Sequence, residues 1–334
     1  MNQPKSMKWK EHFLRSSLPL EYLIINKLDE IGINVCGEYP FLKPNENGII
    51  TEFSADIRAF QLLEKTKEHY WGIVEFLIEC KYSHPSVKWI FSPVPDNEDI
   101  ILGYISIFQD LSVNRIKTDD IYEFDSNIPY CMKGVVLLGN NVNLVTIKTG
   151  LSQLRYSSVQ LSRQCLANQI GTCHDEELQI DFLCPIMVTN APLYVIKPNL
   201  SINDFQNAKD IDSIANNVDT VIVNQSHDLL LKKYIERNVY ELCDDYKELN
   251  QRLKDFSDIL KDSNYKDYFI EDVFFLHNRL GNASERILIV NYNSFSNLIE
   301  KILTLLNSAR ASLRRYAYLK FDSKTRLTSI IKSN

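Results

Sequence analysis

Glycine is scarce, at ten in 334 residues, and neither Gly-x-Gly-x-x-Gly nor the Walker pattern occurs. That removes the backbone cradles on which ATP and dinucleotide phosphates rest. The six histidines, at 12, 69, 84, 174, 227 and 277, show neither HxH nor HExxH spacing, so the zinc-hydrolase signatures are missing. The seven cysteines, at 36, 80, 131, 165, 173, 184 and 243, include no C-x-x-C pair. A zinc site is therefore not expected, and several of these cysteines read as small core residues. No apolar run reaches the roughly 20 residues of a membrane span, and Met1 to Glu11 is polar, unlike a secretory leader. The expectation is a protein of the reducing cytoplasm with no membrane partner.

What is present is ordinary for a soluble protein: 45% hydrophobic and 24% charged residues, with length for one large or two modest domains. The net charge of -6 is unevenly spread, because Arg310, Arg314, Arg315, Lys320, Lys324, Arg326 and Lys332 face the single acid Asp322 in the last segment. Attraction to phosphate depends on such local charge rather than on the sum.

The run Gly72-Ile73-Val74-Glu75-Phe76-Leu77-Ile78 ends in Glu79-Cys80-Lys81. Strand alternation sets Val74, Phe76, Ile78, Cys80 and Tyr82 on one apolar face and Glu75, Glu79 and Lys81 on the other. In the preceding segment Phe53, Ala55, Ile57 and Ala59 form an apolar set, with Ser54, Asp56 and Arg58 opposite. Neighbouring strands in this register bring Asp56 and Glu79 within cross-strand reach. Two such carboxylates repel unless a cation or proton intervenes, and hard oxygen ligands favour Mg2+ or Mn2+. Acidic-x-Lys triplets are common, about three being expected by chance. Asp245-Tyr246-Lys247 and Asp322-Ser323-Lys324 also fit, but in a polar helical stretch and a basic tail. Only the triplet at Glu79 has both a strand and a partner acid.

Asp56 followed by Glu79-x-Lys81 at the end of a hydrophobic strand resembles the signature of the PD-(D/E)xK, or restriction-endonuclease-like, nuclease superfamily. The resemblance covers about residues 16 to 200. It implies an α/β core with a central mixed sheet flanked by helices, one helix before the hairpin, and a helix and strand after the lysine. Leu18 to Ile31 reads as the first helix, entered through Ser16-Ser17-Leu18-Pro19 with a hydroxyl cap and an early proline. Gly150 to Ile170 reads as the second helix, and Cys184 to Ile196 as a strand, a break and a second strand. Two departures stand out: Ala55 occupies the place of the motif's proline, and 85–149 is a long insertion with strand-like runs at Ile100 to Phe108 and Lys133 to Leu138. The insertion shapes substrate choice or covers the sheet.

The expected organisation is a nuclease domain over 1–198 and a mainly helical region over 199–334 that packs, self-associates or contacts substrate. In it Thr220 to Val223 and Glu285 to Val290 read as strands, and Asp228 to Leu260 and Phe295 to Tyr318 as helices. By resemblance, Asp56 and Glu79 hold Mg2+, for which Mn2+ substitutes, with the Cys80 carbonyl as a further ligand. Glu21 either joins that cluster or complements the first helix's dipole. Lys81 orients or deprotonates the attacking water and stabilises the phosphorane. Gln153, Arg155 and Gln160 are second-helix candidates, Gln153 for the scissile phosphate or the lysine and Arg155 for nucleic acid, against a simple solvated face. Arg310, Arg314 and Arg315 are the other nucleic-acid contacts. The implied partner is DNA, with RNA as the alternative. A homodimer or larger assembly, a partner protein and a place in restriction or antiviral defence follow by the same analogy. The reading from another class is a catalytically silent scaffold on the same fold.

Overall fold

A computed structural model of the chain describes residues 9–10, 12–14, 16–45, 48–63, 71–84, 86–94, 109–110, 128–139, 141–172, 179–224, 226–245, 280–312, 318–322 and 327–331, some in backbone only. Helix α1 (Leu18–Glu30) buries Leu20, Ile24 and Leu28, one residue per turn on one stripe. The chain then runs through β1 (Asn34–Pro44), β2 (Ile50–Leu63) and β3 (Trp71–Lys81). In β3 Val74, Phe76, Leu77, Ile78 and Cys80 are all inaccessible, so the strand is covered on both faces. β4 (Lys88–Pro93), β5 (Gln109–Asp110), β6 (Tyr130–Leu138) and β7 (Asn141–Asn143) precede the long helix α2 (Val145–Thr172). β8 (Gln179–Thr189) and β9 (Leu193–Ile196) follow, as a strand, a break and a strand. The rest comprises α3 (Ile202–Asn207), β10 (Ala215–Val218), β11 (Thr220–Asn224), α4 (Leu229–Asp245), β12 (Arg286–Asn291), α5 (Phe295–Ser312) and the hairpin β13 (Tyr318–Asp322) and β14 (Leu327–Ile331).

The protein is α/β, with a large mixed sheet in the order β1-β2-β3-β8-β12-β11-β6-β4-β9-β10, β5 pairing with β8 and β7 with β6. β1, β2 and β3 form an antiparallel meander, and β8 lies parallel to β3 from Trp71↔Gln179 to Lys81↔Thr189. That parallel pairing requires a crossover, which α2 provides. Helices cover both faces: α1 and α5 build one core with Phe76, Ile78, Phe182, Ile186 and Leu288, while α2 and α4 build the other with Leu77, Leu183, Met187 and Ile289. Among the described residues no helix is long and apolar enough to cross a membrane.

Three local expectations change. The strict alternation of β2 breaks, because Ala55 packs into the core under α2 whereas Ile57 and Ala59 pack under α1 and α5. The cause is a bulge: the β1–β2 register passes from Gly37↔Arg58 to Tyr39↔Ala55, leaving Asp56 and Ile57 opposite the single residue Glu38. The expected hydroxyl cap of α1 is not made. Ser17 sits in the left-handed region at φ 63, and its Oγ accepts from the Tyr82 amide at 3.4 Å instead, tying the helix entry to the end of β3. Finally, the insertion and the C-terminal region both enter the sheet. β4, β6 and β7 come from 85–149, and β12 and β11 from beyond residue 199 stand between β8 and β6. The predicted strand at Ile100 to Phe108 and the helical continuation from 246 to 260 lie outside the described residues.

Candidate active site

The β2–β3 ladder runs from Leu63↔Gly72 to Ile57↔Ile78 and stops where the β2 bulge turns the chain away. In place of the next ladder bond, the Cys80 amide donates to Asp56 Oδ2 at 2.6 Å. Asp56 thereby stands in the gap left in the β2–β3 ladder, in the field of Glu79, a placement that the bulge rather than simple alternation produces. Glu79 and Lys81 point toward α2. The Lys81 ammonium donates to Glu79 Oε1 and, at 3.2 Å, to Gln153 Oε1, while Gln153 Nε2 donates to the Ser54 carbonyl at 3.1 Å. Gln153 thus fixes the lysine on one side and β2 on the other. Beyond Lys81, Asn190 clamps the ends of β3 and β8, accepting from the Ser83 amide and donating to its carbonyl, each at 2.7 Å.

Glu79 is fully buried, and its Oε2 has no hydrogen-bond partner among the described residues. Burial, and then the neighbouring Asp56 charge, push its pKa up to about 8, against the opposing pull of Lys81 and of a hydrogen bond from the Asp56 backbone. Burial also raises Asp56, partly offset by the Cys80 amide. Glu21 on α1 is pushed up to about 7 by burial and by the charges of Asp56 and Glu38, which places it in the field of the same group. An oxygen so buried and unbonded is the acceptor a hard cation would fill. Among the described residues no three His, Cys, Asp or Glu side chains gather closely enough to cage a metal by themselves. The protein ligands would then be the Asp56 and Glu79 carboxylates, with the Cys80 carbonyl; the Cys80 thiol is buried in the core under α1.

These raised values have a sign. Between the ordinary glutamate value of 4.5 and the folded values near 7 and 8, the folded chain holds more protons than the unfolded one. The contribution of these two groups to stability is therefore greatest at low pH and is lost as pH rises through the folded values. In EDTA, the melting temperature should drop between about pH 5 and pH 9, and millimolar Mg2+ should reduce the drop. A melting temperature that climbs across this window would contradict it.

Arg155, expected at nucleic acid, is instead 7% exposed, its Nε and Nη2 donating at 3.0 Å to the Ser284 and Ser226 carbonyls. The helical period explains this, since two residues beyond Gln153 the side chain points into the junction with the chain before β12. Gln160 accepts from the Leu42 amide at 3.2 Å and donates to the Pro40 carbonyl at 3.4 Å, bracing β1. Arg310 lies in α5, with its side chain outside the described residues, as are Arg314 and Arg315 entirely. The site thus gathers Asp56, Glu79, Lys81, Gln153 and Glu21, and excludes Arg155.

No family model, curated protein or solved structure matches the chain. The geometry therefore stands by itself, and it includes two residues without any local signal. Gly150 faces the lysine: a Cβ there would lie 2.7 Å from Met187 Cε and 3.0 Å from Lys81 Cε. Gly150→Ala should displace the lysine tip and lower any Lys81-dependent activity by about 10- to 100-fold, since small misplacements of a reacting group cost that much. The melting temperature should change little, because Met187 can yield; parental activity would show that the lysine accommodates the methyl. Lys43 on β1 is the other, placed in the field of Glu79 and Lys81.

Proposed function

We propose that the chain is a metal-dependent endonuclease hydrolysing DNA phosphodiester bonds on a restriction-endonuclease-like core. The observation that carries this is the buried, unpartnered Glu79 Oε2 beside Asp56 and the Lys81 ammonium. The element order supports it: α1, the β1–β2–β3 meander, α2, then β8 parallel to β3 is the order that the superfamily resemblance implies. So does location, since Lys81 and Thr189 are paired at the carboxyl ends of two parallel strands, where α/β sheets bind ligands.

Asp56 and Glu79 would hold Mg2+ or Mn2+, with the Cys80 carbonyl and, across the gap, Glu21 in reach of the same field. The ion supplies a water of lowered pKa and neutralises phosphate charge. Lys81, oriented by Glu79 and Gln153, holds an ammonium where negative charge develops on the phosphoryl oxygens, the kind of preorganised charge that contributes most to such reactions. Gln153 keeps that ammonium aimed, and the Cys80 amide keeps the Asp56 carboxylate turned toward the gap. Metal chemistry on a phosphodiester does not by itself select the sugar, so both DNA and RNA must be offered.

The test is incubation of the purified protein with supercoiled plasmid and with RNA of matched sequence, in Mg2+, Mn2+ or EDTA. Nicking or linearisation of the plasmid that needs the metal is expected. Cleavage of RNA alone would move the substrate class, and cleavage of neither would overturn the nuclease reading in favour of a silent scaffold.

A further inference from the structure

Lys43 is a buried cation without a counter-ion among the described residues. Its side chain is on β1, opposite Thr51, and the residue is only 8% exposed. The ammonium lies 3.3 Å from Ser152 Oγ, and 4.2, 5.7 and 5.9 Å from the ring centroids of Phe53, Tyr156 and Phe41. No carboxylate among the described residues pairs with it. An ammonium has three donors, of which Ser152 uses one. The ring faces hold the positive charge in part, yet burial lowers the lysine's pKa, with Glu79 opposing and Lys81 adding to that shift. Nothing in ordinary packing calls for a charge here, since a methionine would fill the aromatic box without the cost of a desolvated ammonium.

The position gives the charge a use. Ser152, which holds Lys43, is the neighbour of Gln153, which holds Lys81, so successive residues of α2 aim two ammonium groups into one region. We propose that Lys43 is a second substrate-binding cation, taking a phosphate of the bound strand next to the one at Glu79 and Lys81. This rests on the nuclease reading above. The two N–H donors unspent among the described residues would pair with non-bridging phosphate oxygens, and Ser152 would keep the ammonium oriented before the strand arrives.

The experiment is fluorescence anisotropy of a labelled DNA duplex, and of RNA of the same sequence, in EDTA so that neither is cut. It compares the parent with Lys43→Met, Lys43→Gln and Lys43→Arg over a series of salt concentrations. Both neutral variants should bind about tenfold more weakly, and the slope of log affinity against log salt should fall by about one. Lys43→Arg should keep most of the affinity, and Lys43→Met should melt at or above the parent temperature. Parental affinity and slope in both neutral variants would overturn the role of Lys43 alone. A neutral variant that fails to fold while its partner binds normally would also overturn it, marking the ammonium as a prop. A parent that binds neither nucleic acid would overturn the nuclease reading itself.

Discussion

Lys81→Met should lower metal-dependent plasmid cleavage by about a thousandfold while leaving affinity for the duplex within a few-fold of the parent. The magnitude follows from removing one preorganised group aimed at developing charge, which costs about 10²–10³ in rate. Methionine keeps the aliphatic stem that lies against Gly150, so the loss would report the ammonium and not a cavity. Removing that cation also strips Glu79 of its one ion-pair partner among the described residues. Mg2+ affinity should therefore hold or rise, which titration of the metal in the absence of DNA would read. Cleavage at the parental rate would remove Lys81 from the mechanism.

Glu79→Gln should abolish cleavage and yet make the metal-free protein more stable. A buried carboxylate whose pKa is pushed up to about 8 is held against its own preference, chiefly by burial and by Asp56. Glutamine keeps the shape and an acceptor for Lys81 but never ionises. Above pH 8 the variant should gain roughly 1–3 kcal/mol over the parent in EDTA, and the gain should vanish toward pH 5, where the parent glutamate is already neutral. The stabilisation that Mg2+ gives the parent should be lost as well. Denaturant melts at two pH values, with and without Mg2+, check all of this at once. A variant less stable than the parent at high pH would mean that Glu79 is a structural ion-pair member.

Activity and stability pulling in opposite directions at one residue is what a functional site predicts and a structural one does not. The same contrast separates Lys43, where a charge sits at a cost, from Arg155, whose buried guanidinium is spent on the Ser284 and Ser226 carbonyls.

Much of this site was legible from one dimension because its strongest terms are periodic. The apolar run to Ile78, the triplet at Glu79 and the stripe of α1 each follow from a period of 2.0 or 3.6, and a period is a local property. The element order from Leu18 to Thr189 was legible for the same reason. Alternation misled at Asp56, because a bulge depends on which residue of the neighbouring strand it faces. Glu38 opposite Asp56 and Ile57 is a fact of pairing and not of spacing.

The tertiary structure decided what depends on contacts across the chain. Gln153 and Lys81 are 72 residues apart, and Lys43 and Ser152 are 109 apart. No window of sequence distinguishes Gln153 from Gln160, or Lys43 from any surface lysine, until α2 is laid over the sheet. The placement of β12 between β8 and β11 is likewise a choice among strand partners that share the same apolar alternation. Sequence alone determined which residues could do the chemistry, since acid and base character and strand period belong to the residues themselves. Which of them meet, and which are buried enough for their charges to matter, was settled only by packing, where dielectric and distance are set by the whole fold.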